Sequence, residues 1–477
     1  MSTLYDPPLD IERHIKFWRR CFSSLLPHHY QSNESQRMAL AFFMLGSVDI
    51  LAQSPAAAPP ATNPTEAPTK PQAQQPLVSP EDKPRLREWI LAQQHPGGGF
   101  CGSPSISLPG QMYDDWNFPT DIHGGGKAGL ANLAATAFAL QLLAVLSEDE
   151  TAASAFQGVH RVKILQWLRK LQREDGSFGE TLAELPGKGE FVGGGYDMRY
   201  CYLASMIRWM LRGDAKEGEA AFVEDFDTER LVRYISSTQT YDGGLAGTSK
   251  EEPHAGYAYC AVAALSLLDR PLENSVASHP SEVVRKGIRD MPALIHWLVS
   301  RQFVYLEASS DDQEDDDNLL QPANLADLSL DDKTLVGFNG RCNKVADSCY
   351  TWWTGASLSI LGHHDLVDVA PARRFLLQKT QHMIGGFGKK PGNPPDLYHS
   401  FLGLAALAVM GEPNLREFDT SLAITVRTVR KIEKARKGIL RGGSQSGMDE
   451  DIKEKLVSLG TQLNGGQRPN WADAIET

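Results

Sequence analysis

One recurrent string constrains this chain more than any single motif: a Gln near a helix end, a Gly-rich turn, then an aromatic residue or Leu. It occurs as WILAQQHPGGGF (89–100), WLRKLQREDGSFG (167–179), YISSTQTYDGGLAG (234–247), WLVSRQF (297–303) and FLLQKTQHMIGGFG (375–388). Similarity that recurs at tens of residues is the mark of stacked repeats, because one such unit cannot bury its apolar face alone. The fourth copy is interrupted, and its turn resumes as LVGFNGR at 335–341. Each of the last four turns leads into a small-residue-rich apolar stretch: YCYLASMIRWML, HAGYAYCAVAALSLL, DSCYTWWTGASLSIL and LYHSFLGLAALAVM. These read as helices whose Ala, Gly, Ser and Cys permit close approach, while strand-like alternation is scarce. The expectation is an all-α fold, an α–α barrel or toroid of repeated helix pairs. The small-residue helices form its inner layer, and their N-termini line one mouth of the central cavity.

Residues 54–80 are rich in Pro and Ala and poor in large apolar side chains, so they cannot offset their own ordering entropy. Residues 307–332 contain DDQEDDD at 311–317, a like-charge block that repels itself and favours solvation. Both read as insertions in a single domain spanning 1–420, followed by a charged tail at 421–477. With 47 Lys plus Arg against 59 Asp plus Glu the net charge is −12, which argues against a general phosphate-backbone binder. Six cysteines without paired spacing and an N-terminus lacking a charged-then-apolar leader fit a reducing, cytoplasmic compartment. The longest apolar stretches, such as 133–146, are too short for a membrane helix of about 20 residues.

The chemistry concentrates in GFNGRCNKVADSCYTWW, residues 337–353, where a Gly-containing turn meets an inner helix. Arg341 and Lys344, three apart, present two cations suited to a diphosphate or carboxylate. Asp347 and Cys349 offer a carboxylate and a thiol, and His399 in PPDLYHSFLGL stands at the corresponding start of the next inner helix. One oxygen, one sulfur and one nitrogen suit Zn²⁺ with a fourth position open, as in catalytic rather than structural sites. HGGGKAG (123–129) fails as a phosphate-binding P-loop, since the first Gly of that motif falls at Asp121.

The string G-R-C-N-K-x-x-D-x-C-Y, the later D-x-Y-H and the Gln/Gly-aromatic repeats resemble the β subunit of the protein prenyltransferases over roughly 11–53 and 85–415. The resemblance implies zinc held by Asp347, Cys349 and His399, and a lipid diphosphate held by His254, Arg341, Lys344 and Tyr350. It places Arg199 and Trp353 beside the isoprenoid chain; Phe43 and Trp352 are read, apart from the resemblance, as lying near the peptide. It further implies an obligate α subunit as partner, and C-terminal C-a-a-X proteins such as Rho-family small GTPases as acceptors.

Within the family, farnesyl enzymes carry a Trp where this chain has Ala39, and the small side chain leaves room for a fourth isoprene unit. Lys389 in GGFGKKPGNPPDLYH stands where farnesyl enzymes have an Asp that helps hold Mg²⁺, so the resemblance is to the type I geranylgeranyltransferase, using geranylgeranyl diphosphate without Mg²⁺. A farnesyltransferase β subunit is the alternative within the family. Outside it stand a terpene cyclase, which lacks its D-x-D-D acid here, and a non-catalytic helical-repeat scaffold, which leaves the convergent site residues unexplained.

Overall fold

A computed structural model describes residues 7–51, 76–103, 130–185, 189–276, 281–305 and 334–441. The insertion 307–332, residues 54–75 of the other insertion, 123–129 and the chain beyond 441 lie outside the described residues. Six helices form the inner layer: Arg37–Leu51, Leu133–Leu146, Met198–Leu211, Ala255–Leu268, Cys349–Ile360 and Leu397–Val409. Each packs on the next, and the sixth packs on the first, so the ring is closed. Ile11–Ser23, Asp82–Leu91, Arg161–Lys170, Thr228–Ser237, Met291–Val299 and Val369–Phe375 alternate with them in sequence as the outer layer. The difference in sequence follows from burial. Outer Ile11–Ser23 buries only His14, Phe17 and Trp18, whereas inner Leu133–Leu146 buries eleven of its fourteen residues.

The repeated Gln has a structural task in every copy. Its backbone forms a bridge to the aromatic or Leu after the turn: Gln94 with Phe100, Gln172 with Phe178, Gln239 with Leu245 and Gln381 with Phe387. In the interrupted copy Gln302 pairs with Phe338 across the insertion, so the turn resumes where the sequence places it. The Gln side chain meanwhile reaches the backbone just before the next outer helix. Oε1 of Gln94, Gln172, Gln239, Gln302 and Gln381 accepts from the N–H of His160, Asp227, Asp290, Asp368 and Asp10 respectively. The last of these bonds ties the final repeat to the first helix. The Gly in the turn is also dictated: at Gly98, Gly176, Gly243 and Gly385 φ is positive, and a Cβ would lie 2.2–2.5 Å from backbone atoms at the start of that next outer helix.

The stretch after residue 420 does not begin as a tail. Phe418–Asp419 pairs with Ile424–Thr425, and the intervening carbonyls of Thr420, Ser421 and Leu422 accept from Tyr259 Oη, Tyr202 Oη and Gln141 Nε2 at 2.8, 3.0 and 2.6 Å. Val426–Arg441 then packs as a helix, burying Val426, Val429, Ile432 and Ala435. Its charges are used rather than solvated: Arg436 donates to the Trp209 carbonyl at 2.6 Å and Lys431 to those of Val145 and Ser147. These carbonyls belong to the C-terminal ends of inner helices, which leave acceptors unpaired and favour cations.

Candidate functional site

Because inner and outer helices alternate, all inner helices run in one direction and their N-termini share one mouth of the ring. Neighbouring starts are stitched together there: Ala255 N–H donates to the Gly340 carbonyl at 2.8 Å, and Ser348 N–H to that of Lys389 at 2.9 Å. Asp197, His254 and Asp396 cap their helices, accepting from the N–H of Arg199, Gly256 and His399.

Asp347, Cys349 and His399 meet at this mouth, with their donor atoms all within 4.8 Å of one another. Asp347 Oδ1 accepts from Cys349 N–H at 3.0 Å and lies 3.3 Å from His399 Nε2. Asp396 does more than cap: its Oδ2 is 2.6 Å from His399 Nδ1, which turns Nε2 toward Asp347 and Cys349. A carboxylate behind a ligating imidazole fixes both its tautomer and its orientation. The donor set, three protein ligands with Nε2 turned toward the other two, fits zinc in a site with one open position.

Charge at this corner is strongly coupled. Burial opposes protonation of His399, but its hydrogen bonds to Asp347 and Asp396 outweigh that and raise its pKa to about 9. The Cys349 thiol is pushed well above its ordinary value by burial and by the Asp347 carboxylate. Asp347 would be raised by burial, yet its bond to His399 holds it below the usual carboxylate range. A divalent cation reverses the first two effects, favouring neutral imidazole and thiolate.

A second cluster lies on the adjoining helix starts. His254 Nδ1 accepts from Gly256 N–H at 3.0 Å, so the neutral ring carries its proton on Nε2, which donates to Tyr350 Oη at 3.0 Å. Burial, aided by the Arg341 charge, lowers the His254 pKa to about 4 and keeps the ring neutral. Tyr350 is fixed because Gly340 leaves it room; a Cβ there would lie 2.2 Å from the ring. Arg341 pairs with Glu252 at 3.1 Å, and Arg199 with its cap Asp197. Lys344 is exposed on the same loop as Arg341. Lys389 belongs to the first corner in space, its Nζ 4.0 Å from Asp347 Oδ2 and its side chain 53% exposed.

Around the interior, Trp353 donates from Nε1 to Tyr398 Oη at 3.2 Å and packs edge-on to Tyr259. Phe43 joins a cluster of rings with Phe42, Phe138, Tyr398 and Phe401. Ala39 is half-buried in the first turn of Arg37–Leu51. Trp352 is buried, facing Tyr259 and Phe418. Asp396 and Tyr398 carry structural duties that their sequence positions alone did not assign; the signal for Asp396 is its cap spacing three residues before His399.

A closed toroid with a metal-competent corner and a cationic corner at one mouth defines a class. Residues 9–424 match the prenyltransferase alpha-alpha toroid domain, and the chain belongs to that family; it is an enzyme of the prenyltransferase class. It is similar to the geranylgeranyl transferase type-1 subunit beta of Arabidopsis thaliana, 28% identical over 424 residues covering 86% of this chain and 90% of that one. The subunit of the same name from Dictyostelium discoideum is 26% identical, over 88% of this chain and 96% of that one. Among solved structures, the Candida albicans protein geranylgeranyltransferase-I complexed with GGPP matches with a TM-score of 0.63 and 27% identity, over 90% of this chain and 99% of that chain. No helix among the described residues is long and apolar enough to cross a membrane.

Proposed function

We propose that this chain is the β subunit of a zinc-dependent protein geranylgeranyltransferase of type I. In this reading it acts in the cytoplasm with an obligate α subunit, and transfers the twenty-carbon lipid to the cysteine of C-terminal C-a-a-X sequences of small GTPases. The observation that carries the reading is the convergence of Asp347, Cys349 and His399 within 4.8 Å, backed by Asp396. Zinc bound there would supply a positive charge that favours the thiolate of an incoming cysteine and fixes its position.

The remaining work falls to the chain's own groups. As the bond between carbon 1 and the diphosphate breaks, negative charge grows on the bridging oxygen. Arg341, Lys344, Tyr350 and neutral His254 are the donors placed to stabilise it. Arg341 leaves Glu252 to the extent that the diphosphate competes for it, while Arg199, held by Asp197, stands beside the isoprenoid chain. Lys389 serves the leaving group as a fixed ammonium, which makes Mg²⁺ dispensable. Trp353, packed edge-on to Tyr259, lies beside the lipid path, and Phe43 stands nearer the peptide. Ala39 sets its length: a Trp there would overpack the space for the last five carbons. The GGPP complex of the Candida albicans relative agrees with this choice of lipid.

The test is co-expression with a candidate α subunit, followed by zinc analysis and transfer assays with fifteen- and twenty-carbon diphosphates on C-a-a-Leu and C-a-a-Ser peptides. Preference for the longer lipid on C-a-a-Leu, with one zinc per complex and no Mg²⁺ requirement, is the expected outcome. Preference for the fifteen-carbon lipid would move the chain to the farnesyl subtype. A zinc-free complex without transfer would overturn the proposal.

A further inference from the structure

The loop that carries Arg341 and Lys344 also carries a thiol for which the proposed reaction has no use. Cys342 is exposed, whereas Cys101, Cys201, Cys260 and Cys349 are buried. Behind it stands Arg301, only 5% exposed, with its guanidinium over the Trp297 ring at 4.6 Å and Nε donating to the Trp297 carbonyl at 3.3 Å. Its Nη2 donates to Cys342 Sγ at 3.3 Å. Nη1 of the same guanidinium has no hydrogen-bond partner among the described residues. A buried guanidinium aimed at a sulfur, with one N–H group still open, is a site for an oxygen carried on that sulfur.

We propose that Cys342 is a peroxide-sensitive thiol whose oxidised form is held by Arg301 and blocks binding of the lipid diphosphate; this rests on the reading that Arg341 and Lys344 hold that group. The sulfur attacks one oxygen of hydrogen peroxide, the O–O bond breaks, and an S–O bond forms. The thiol proton leaves with the departing hydroxide as water. Sulfur loses two electrons, peroxide gains them, and the product is a sulfenic acid. A second peroxide carries it to the anionic sulfinate. The new oxygen lies one residue from Arg341 and two from Lys344, where it competes with the diphosphate for the same cations.

The loop cannot simply swing the oxidised sulfur aside. Gly340 is pressed against Tyr350 and its carbonyl is bonded to Ala255 N–H. Asn343 sits in the left-handed region at φ 59°. Asn339 Nδ2 holds the Lys344 carbonyl at 3.0 Å.

The experiment exposes the purified complex of this chain with its α subunit to hydrogen peroxide and dimedone, and follows labelling of Cys342 by mass spectrometry. The reference is a peptide of residues 337–346, which has the same neighbours in sequence but lacks Arg301. Cys342 in the protein should label at least about tenfold faster than the peptide, and geranylgeranyl diphosphate should slow it. The KM for that lipid should rise at least about fivefold after oxidation, with zinc content unchanged. Cys342→Ser should retain normal turnover and show no KM change under peroxide. Labelling no faster than the peptide, an unaltered KM, or an equal KM rise in Cys342→Ser would each overturn the inference. The diphosphate assignment fails separately, if unoxidised Arg341→Ala keeps the wild-type lipid KM.

Discussion

The two corners of the mouth are built on opposite plans. At the first corner Asp347 and Cys349 are buried, and the orientation of the partly buried His399 is enforced from behind by Asp396. The cationic corner is more open, and two of its arginines are already engaged, Arg341 with Glu252 and Arg199 with Asp197. The difference teaches how one mouth holds two ligands of unlike charge. A small cation needs a preformed cage of fixed radius, since a shift of a few tenths of an ångström loses a bond. A flexible diphosphate is met by long side chains that change partner, and an exposed pair such as Arg341 with Glu252 costs little to exchange. Binding at one corner should therefore survive damage to the other.

The largest expected effect comes from the cage. Cys349→Ala should release zinc and lower transfer by at least about a thousandfold, or roughly 4 kcal/mol of transition-state stabilisation, while binding of the lipid diphosphate stays within about twofold in a fluorescence titration. Next is the support behind it. Asp396→Asn keeps the shape but loses the carboxylate, and zinc affinity measured by chelator competition should fall about 10- to 100-fold. An unchanged affinity would reduce Asp396 to a helix cap.

The same corner predicts a pH dependence. Without metal, His399 titrates near 9 and the Cys349 thiol above its ordinary value, and both must shed a proton to ligate. Zinc affinity should therefore rise as pH increases from 6 toward 9 and fall in acid, by about tenfold or more per unit. The sign of the protein's own stability is opposite for His399: its raised pKa contributes to the metal-free fold below the unfolded value of 6.5, and the contribution disappears as pH passes 9. A flat zinc affinity across this range would break the coupling.

At the cationic corner Arg341→Ala should raise the KM for the lipid diphosphate about 10- to 100-fold and leave zinc content intact. The smallest expected effect is on selectivity. Ala39→Trp should shift the ratio of fifteen- to twenty-carbon lipid use about tenfold toward the shorter one, measured by competition at equal concentrations. An unchanged ratio would place the length limit elsewhere in the ring.

Much of this arrangement was legible in the chain because repeats carry their own register. The split fourth copy could be rejoined from the sequence, and Gln302 does pair with Phe338. Asp347, Cys349 and His399 could be gathered because each stands at the start of an inner helix. What could not be seen were long-range bonds between polar groups. The Gln side chains reach forward to the next outer helix, and Asp396 turns the His399 ring. The stretch 421–441 read as tail because its many Lys and Arg hid a buried stripe of Val426, Val429, Ile432 and Ala435. Nothing local shows that Arg436 and Lys431 end on the carbonyls of inner helices more than two hundred residues away.

The separation of the two corners is tested most directly by His399→Ala in the complete complex, measuring bound zinc by elemental analysis and lipid affinity on the same sample. Zinc should be lost while the diphosphate still binds with near wild-type affinity. Retained zinc with lost lipid binding would contradict the assignment of both corners.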